Sequence, residues 1–251
     1  MNSQIEAGIM PLREPMKEIE TTKKILIAAP IHESKAYIID AYLENIKKIK
    51  EQTENSFKVE TLFVDNSDYT PFADKLCLEN KDMTIVYDIH TTKNKTSQER
   101  QCSSLNLIKD VLLRGDFDYL MIIESDILPN EDIIYHLIDH DKDVCSAVYW
   151  IGKEKKVVMI TQEQLVANNG TFPAVFVFPD FINGELKEVP NGCGLGCILI
   201  KRKVLEKIKF RWGKNHADTY FHEDRISYDF KAFVDTSQVV KHYQTPQGGK
   251  Q

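Results

Sequence analysis

No stretch of this sequence approaches the roughly 20 apolar residues needed to cross a bilayer. Residues 1–20 carry acidic side chains and no apolar block, so nothing reads as a secretory signal. The expectation is a soluble, cytoplasmic protein. A disulfide framework is also missing. The five cysteines, Cys77, Cys102, Cys145, Cys193 and Cys197, are scattered and odd in number, which points to a reducing compartment. Cys193 and Cys197 lack the second pair or nearby histidine that would complete a zinc set, so they read as thiols packed like small hydrophobes. Nor is there a basic excess: 38 acidic against 32 basic residues give a net charge of -6. Nucleic-acid binders usually show the opposite balance. That disfavours nucleic acid as a partner, although a local basic groove stays open because net charge averages over every face. An acidic excess suits a protein that holds a divalent cation.

What is present is an alternation of apolar runs and amphipathic stretches over 251 residues, enough for one large α/β domain. Residues 1–22, polar with two prolines, read as an N-terminal arm. Lys24-Ile-Leu-Ile-Ala-Ala-Pro30 is a short apolar run stopped by proline, the pattern of a buried parallel strand. Ser34 is placed to cap a following helix in which Tyr37, Ile38, Tyr42 and Ile46 recur at three-to-four spacing. Val59–Val64 and Thr84–Tyr87 read as strands, 97–113 as a helix, Tyr119–Ile123 as the most apolar strand, 130–140 as a helix and Val144–Val148 as a strand. Such alternation predicts a mainly parallel sheet with helices on both faces. Beyond residue 150 come two β-like runs, Val157–Ile160 and Ala174–Phe178, then a glycine turn at Gly192, Gly194 and Gly196. Cys197–Ile200, a helix to 208 and an edge-like strand from Val234 to Val240 follow. This second half reads as an extension of one domain.

In parallel sheets ligands bind beyond the carboxyl ends of the strands, and the polar clusters fall there: Pro30-Ile-His32-Glu33, Asp65, and Glu124-Ser125-Asp126. Two carboxylates two residues apart at a strand end can share one hard cation, Mg2+ or Mn2+, and bridge it to substrate phosphates. The competing reading is a solvated acidic turn ahead of Pro129. Downstream, Glu223-Asp224 fits either a charge pair at a helix N-terminus or a catalytic pair, and His242 either a surface residue or a metal ligand. The glycine triplet lacks the spacing of a dinucleotide fingerprint and reads better as a turn letting backbone approach a ligand. Tyr149, Trp150 and Trp212 are core or surface aromatics, or platforms on which a ring stacks.

Taken in order, Glu124-Ser-Asp126, Gly192-x-Gly-x-Gly196 leading to Lys201-Arg202, Glu223-Asp224 and Val-Asp-Thr-Ser-x-Val-Val-x-His242 resemble the GT-A glycosyltransferases, especially family-2-like members. The likeness spans residues 24–243. It implies a GT-A (Rossmann-like) mixed α/β fold, with a nucleotide-sugar-binding half over 23–150 and an acceptor-binding, catalytic half over 151–251 of the same domain. It implies a hexosyl- or pentosyltransferase acting from a nucleotide-diphosphate sugar, the family's commonest donor being a UDP-sugar. Asp126 and His242, assisted by Glu124, would hold Mn2+ or Mg2+. Pro30, His32, Glu33, Asp65, Arg100 and Ser125 would line the donor site. Asp224, or else Glu223, would be the general base, implying inversion, and Gly194, Trp150 and Trp212 would face the acceptor. Two positions depart from the pattern: Glu124 stands where the family carries Asp, and His222 where it often has Gly.

Two other classes compete. A sugar nucleotidyltransferase needs a glycine-rich basic loop after the first strand, and Pro30–Ser34 has no glycine. A nucleotide- or carbohydrate-binding protein of the same fold would bind donor without turnover. The acceptor, whether glycan, protein, lipid-linked polymer or, as a minority option, a modified DNA base, is not legible, nor is the oligomeric state.

Overall fold

The computed structural model describes residues 22–68, 71–88, 95–150, 182–214 and 216–243, together with the strand backbones 157–160 and 174–177. The expected N-terminal arm lies outside the described residues. The elements are β1 (Lys24–Ile31), a 3-10 turn (Glu33–Lys35), α1 (Ile39–Thr53), β2 (Lys58–Asp65), α2 (Pro71–Glu79), β3 (Thr84–Tyr87), α3 (Ser97–Arg114), β4 (Tyr119–Ile123), β5 (Ile127–Leu128), α4 (Ile133–Asp139) and β6 (Val144–Tyr149). There follow β7 (Val157–Ile160), β8 (Ala174–Val177), β9 (Leu186–Glu188), β10 (Cys197–Lys201), α5 (Arg202–Leu205), α6 (Ala217–Ser227) and β11 (Ala232–His242).

A nine-stranded sheet runs in the order β3-β2-β1-β4-β10-β6-β11-β5, with β9 also on β11; β7 and β8 form a separate antiparallel pair. β1, β2, β3, β4, β6 and β11 all point one way, while β5, β9 and β10 oppose them. The sheet is therefore mixed and mainly parallel. Alternate residues of β4 enter opposite cores: Leu120 and Ile122 meet α3, α5 and α6, while Tyr119, Met121 and Ile123 meet α1 and α4. Both faces being covered explains why the strand reads as an unbroken apolar run.

Several sequence expectations are revised. Pro30 does not stop β1. The strand continues to Ile31 because its pairing with β4 ends at Ala28, so no ladder partner misses the absent N–H. Ser34 caps nothing: the His32 side chain accepts from Ser34 N and caps the 3-10 turn, and the helix begins only at Ile39. The helix after β10 ends at Leu205, not 208; a turn follows in which Ile208 N still bonds Val204 O (3.1 Å), and Ile208 and Phe210 are buried beyond it. β11 is no edge strand. It lies between β6 and the pair β5 and β9.

β11 also carries a three-residue bulge. Asp235 pairs with Ala147 and Val239 with the very next residue, Val148. Asp235 fills the gap: its Oδ1 accepts from Ser237 N (2.9 Å) and Oγ (2.6 Å), and its Oδ2 meets His140 Nε2 at 2.8 Å. Before the bulge Ala232 and Val234 face the α3 side; after it Val240 faces the α1 side.

Candidate active site

Six strands running one way gather their carboxyl ends on one edge, and a cleft of about 420 Å3 opens there, lined in part by Pro30, His32, Lys35, Arg100, Glu124, Ser125 and Asp126. The Glu124–Asp126 turn is tied from several sides. Glu124 N donates to Gly196 O (2.8 Å), Tyr42 Oη to Ile123 O (2.7 Å), and Tyr243 N to Asp126 O (2.7 Å). β5 pairs Ile127 with His242, so the end of β11 is delivered beside Asp126. His242 Nδ1 donates to Trp150 O (3.0 Å), and Nε2 stands 3.4 Å from Asp126 Oδ2. An imidazole whose Nδ1 is held by a carbonyl presents Nε2 as its ligating atom.

Asp126 is buried, and its Oδ2 also accepts from the Lys35 ammonium. Burial pushes its carboxyl up, but the bonds from His242 and Lys35 outweigh that and hold it below the usual range. Burial pulls His242 down, yet its contact with Asp126 leaves it raised. Glu124 behaves differently. Burial, then the Asp126 and Asp218 carboxylates, push it up to about 7.

Asp218 was missed by sequence reasoning. It sits in the first turn of α6, lines a smaller adjoining cavity of about 230 Å3 with Glu124, Tyr149, Gly194 and His242, and is raised by burial. The expected pair, Glu223 and Asp224, is not brought to this edge. Six residues from Asp218 to Asp224 turn the helix by about 600°, leaving the two on different faces. Glu223 and Asp224 instead hold Arg211: Nε to Asp224 Oδ2 at 2.9 Å, Nη2 to Asp224 Oδ1 at 2.8 Å and to Glu223 Oε2 at 3.1 Å. Asp224 lines a third, surface cavity of about 630 Å3 together with Trp212. The signal that could have found Asp218 is an acid on the first turn of a helix feeding straight into the strand that ends at His242.

The other expected residues separate too. Arg100 reaches the cleft and bonds Asp68 Oδ1 at 2.7 Å. His32 lines it with Nε2 buried and unpartnered among the described residues. Asp65 is fully buried behind it, its Oδ1 taken by Ser67 N (2.9 Å) and Oγ (2.5 Å), and its neighbour Asn66 takes the cleft-facing place. Glu33 contributes its backbone N, donating to Ser67 Oγ (2.7 Å). The Trp150 ring packs against the core, so this residue serves the site through its carbonyl. The glycine turn makes room for protein: a Cβ on Gly194 would fall 1.8 Å from Tyr149 Oη, and one on Gly192, at φ +106°, 2.1 Å from the His222 ring.

No protein-family model matches the sequence, and no curated protein matches it. Solved structures do match in shape. GalNAc-T7 with UDP, GalNAc and Mn2+ superposes at a TM-score of 0.64 over 91% of this chain and 45% of that one, at 10% identity. S. aureus TarS 1-349 superposes at 0.52 over 88% and 60%, at 12% identity. The fold is the GT-A glycosyltransferase fold. The chain spans less than two thirds of either neighbour's length.

On this GT-A scaffold the two carboxylates suit Mn2+ or Mg2+ in kind, and the imidazole favours Mn2+ of the two. Among the described residues, however, no three His, Cys, Asp or Glu side chains stand together as a ready-made metal site. Asp126 and His242 offer two adjacent donor atoms, so a cation held there would need further oxygens from water or a bound molecule. Among the described residues no helix is long and apolar enough to cross a membrane.

Proposed function

We propose that the chain is a glycosyltransferase that moves a sugar from a nucleoside-diphosphate sugar to an acceptor hydroxyl. The observation that carries this reading is Asp126 and His242 meeting at the carboxyl edge of a GT-A-fold sheet, with Asp218 lining the adjoining cavity. Asp126 and His242 would hold a divalent cation, Mn2+ or Mg2+, which when bound supplies Lewis-acid compensation for the charge growing on the departing diphosphate.

The remaining work falls to side chains. Arg100 lies in the cleft to meet the diphosphate, and His32 Nε2 and Asn66 offer polar contacts to the nucleoside. Glu124, balanced near neutrality, can donate to or accept from a ribose hydroxyl. Asp218 is the general base in place of Asp224: burial raises its affinity for the proton that the acceptor hydroxyl gives up as it attacks. A base distinct from any nucleophile implies a single displacement with inversion. UDP-sugars are the first donors to try, GalNAc-T7 having been solved with UDP, and a glycan is the first acceptor class.

The test is hydrolysis and transfer over a panel of nucleotide sugars, with and without Mn2+, for wild type and Asp126→Ala. Turnover of one donor that needs Mn2+ and is lost in Asp126→Ala supports the reading. Donor binding with no turnover under any metal would replace it with that of a binding protein.

A further inference from the structure

Lys35 follows the end of β1 as the last residue of the 3-10 turn, and its ammonium sits on Asp126 Oδ2, the same oxygen that His242 Nε2 faces. Its side chain is 33% exposed against 7% for Asp126, so the stem enters the cleft from its open side. A divalent cation seated by Asp126 and His242 would need that oxygen and would be repelled by the ammonium beside it. Resting on the reading of Asp126 and His242 as cation ligands, we propose that Lys35 is a built-in competitor for Asp126, displaced when the donor's diphosphate arrives.

Three features support the exchange. Asp126 and His242 are too few to fill a divalent cation's coordination shell, so phosphate oxygens can take places that water would otherwise hold. Lys35 lines the same cleft as Arg100, where a diphosphate would lie, and phosphate is a strong partner for an ammonium. Four rotatable bonds let the ammonium cross from carboxylate to phosphate without backbone movement. One ligand thus brings new oxygens to the cation and removes its rival. Reciprocity follows: the cation tightens the nucleotide by the factor the nucleotide tightens the cation.

The experiment is Mn2+ binding, read from the electron paramagnetic resonance of unbound ion, on the full chain with and without UDP, corrected for Mn2+ held by UDP alone. Wild type alone should bind weakly and UDP should tighten binding at least tenfold. Lys35→Met alone should bind at least tenfold more tightly than wild type and gain less from UDP than wild type does, keeping only the part that the phosphate oxygens supply. Lys35→Arg, which keeps the charge, should stay as weak as wild type, and Asp126→Asn should lose binding in every arm. If Lys35→Met binds no better than wild type while Asp126→Asn still abolishes binding, the cation seat stands and the competition is wrong. A UDP addition that leaves wild-type affinity unchanged overturns the displacement step. Should no protein bind Mn2+ even with UDP, the cation seat itself falls, and the competition with it.

Discussion

Two acidic clusters with a cation and aromatic neighbours lie on either side of α3. Around Asp126 the carboxylates follow a buried strand and carry shifted proton affinities, and Asp126 shares one oxygen between Lys35 and His242. Around Arg211 the carboxylates ride the far face of α6, closed into a fork with a guanidinium that also stacks over Tyr220 at 4.2 Å, beside the exposed Trp212. Composition barely separates the two. Position does: strand ends of a parallel sheet converge, so side chains there are held against one another by fixed backbone, whereas a surface fork is satisfied by itself and asks for nothing more.

The sharpest way to break that comparison is a pair of substitutions on one helix. Asp218→Asn should lower transfer by about 10²–10⁴-fold, while Asp224→Asn should leave it within about threefold, both read as kcat/KM on the donor identified. A large loss in Asp224→Asn with Asp218→Asn unaffected would return the base to the surface fork. Next in size is the mounting of α6. Gly192→Ala adds a Cβ at positive φ into the His222 ring and should cost about 3 kcal/mol in urea unfolding, with activity falling as Asp218 loses its aim.

A pH series probes the same mounting without a change of backbone. His222 Nε2 donates to Cys193 O (2.8 Å) and its Nδ1 accepts from Arg225 Nε (3.1 Å). Burial, then the Arg225 charge, lower it to about 3. The unfolded chain therefore takes this proton first, at its ordinary value near 6.5. Stability should fall as pH drops from about 6.5 toward 3, by roughly 1.4 kcal/mol per unit, and His222→Gln should flatten that slope in urea midpoints. The smallest effect belongs to the fork: Arg211→Ala should change stability by under about 1 kcal/mol, as exposed ion pairs do, with transfer unaltered.

The core of the sheet was legible because β1, β2, β4 and β10 are largely buried and spell it out as apolar runs, although β10 runs against its neighbours. α2 was not: only Ala73 and Leu76 of its nine residues are buried, too few to set a period. β5 and β9, two and three residues long, exist through their partner β11 and not through any pattern of their own. The meeting of Asp126 and His242 at one edge was legible because one lies in the turn after a readable strand and the other ends one. Asp218 was not, since its part depends on how α6 is rolled, and that is set by Arg225 reaching Phe230 O and Pro190 O. The adjacent acids at 223 and 224 were the louder signal, and they answer to Arg211.

The loop of β11 between Asp235 and Val239 has a consequence for how such a site can change. A strand deals its side chains alternately to two faces, so parity, not distance alone, decides where His242 looks. Three extra residues are an odd number, and they hand the even-numbered positions from the α3 side to the α1 side just before the strand ends. Adding or removing one residue there would turn the imidazole away from Asp126 with every catalytic side chain intact, whereas a change of two would leave its bearing as it is. Length variation in this strand is thus quantised in its effect on side-chain bearing: steps of two keep His242 toward Asp126, and steps of one turn it away.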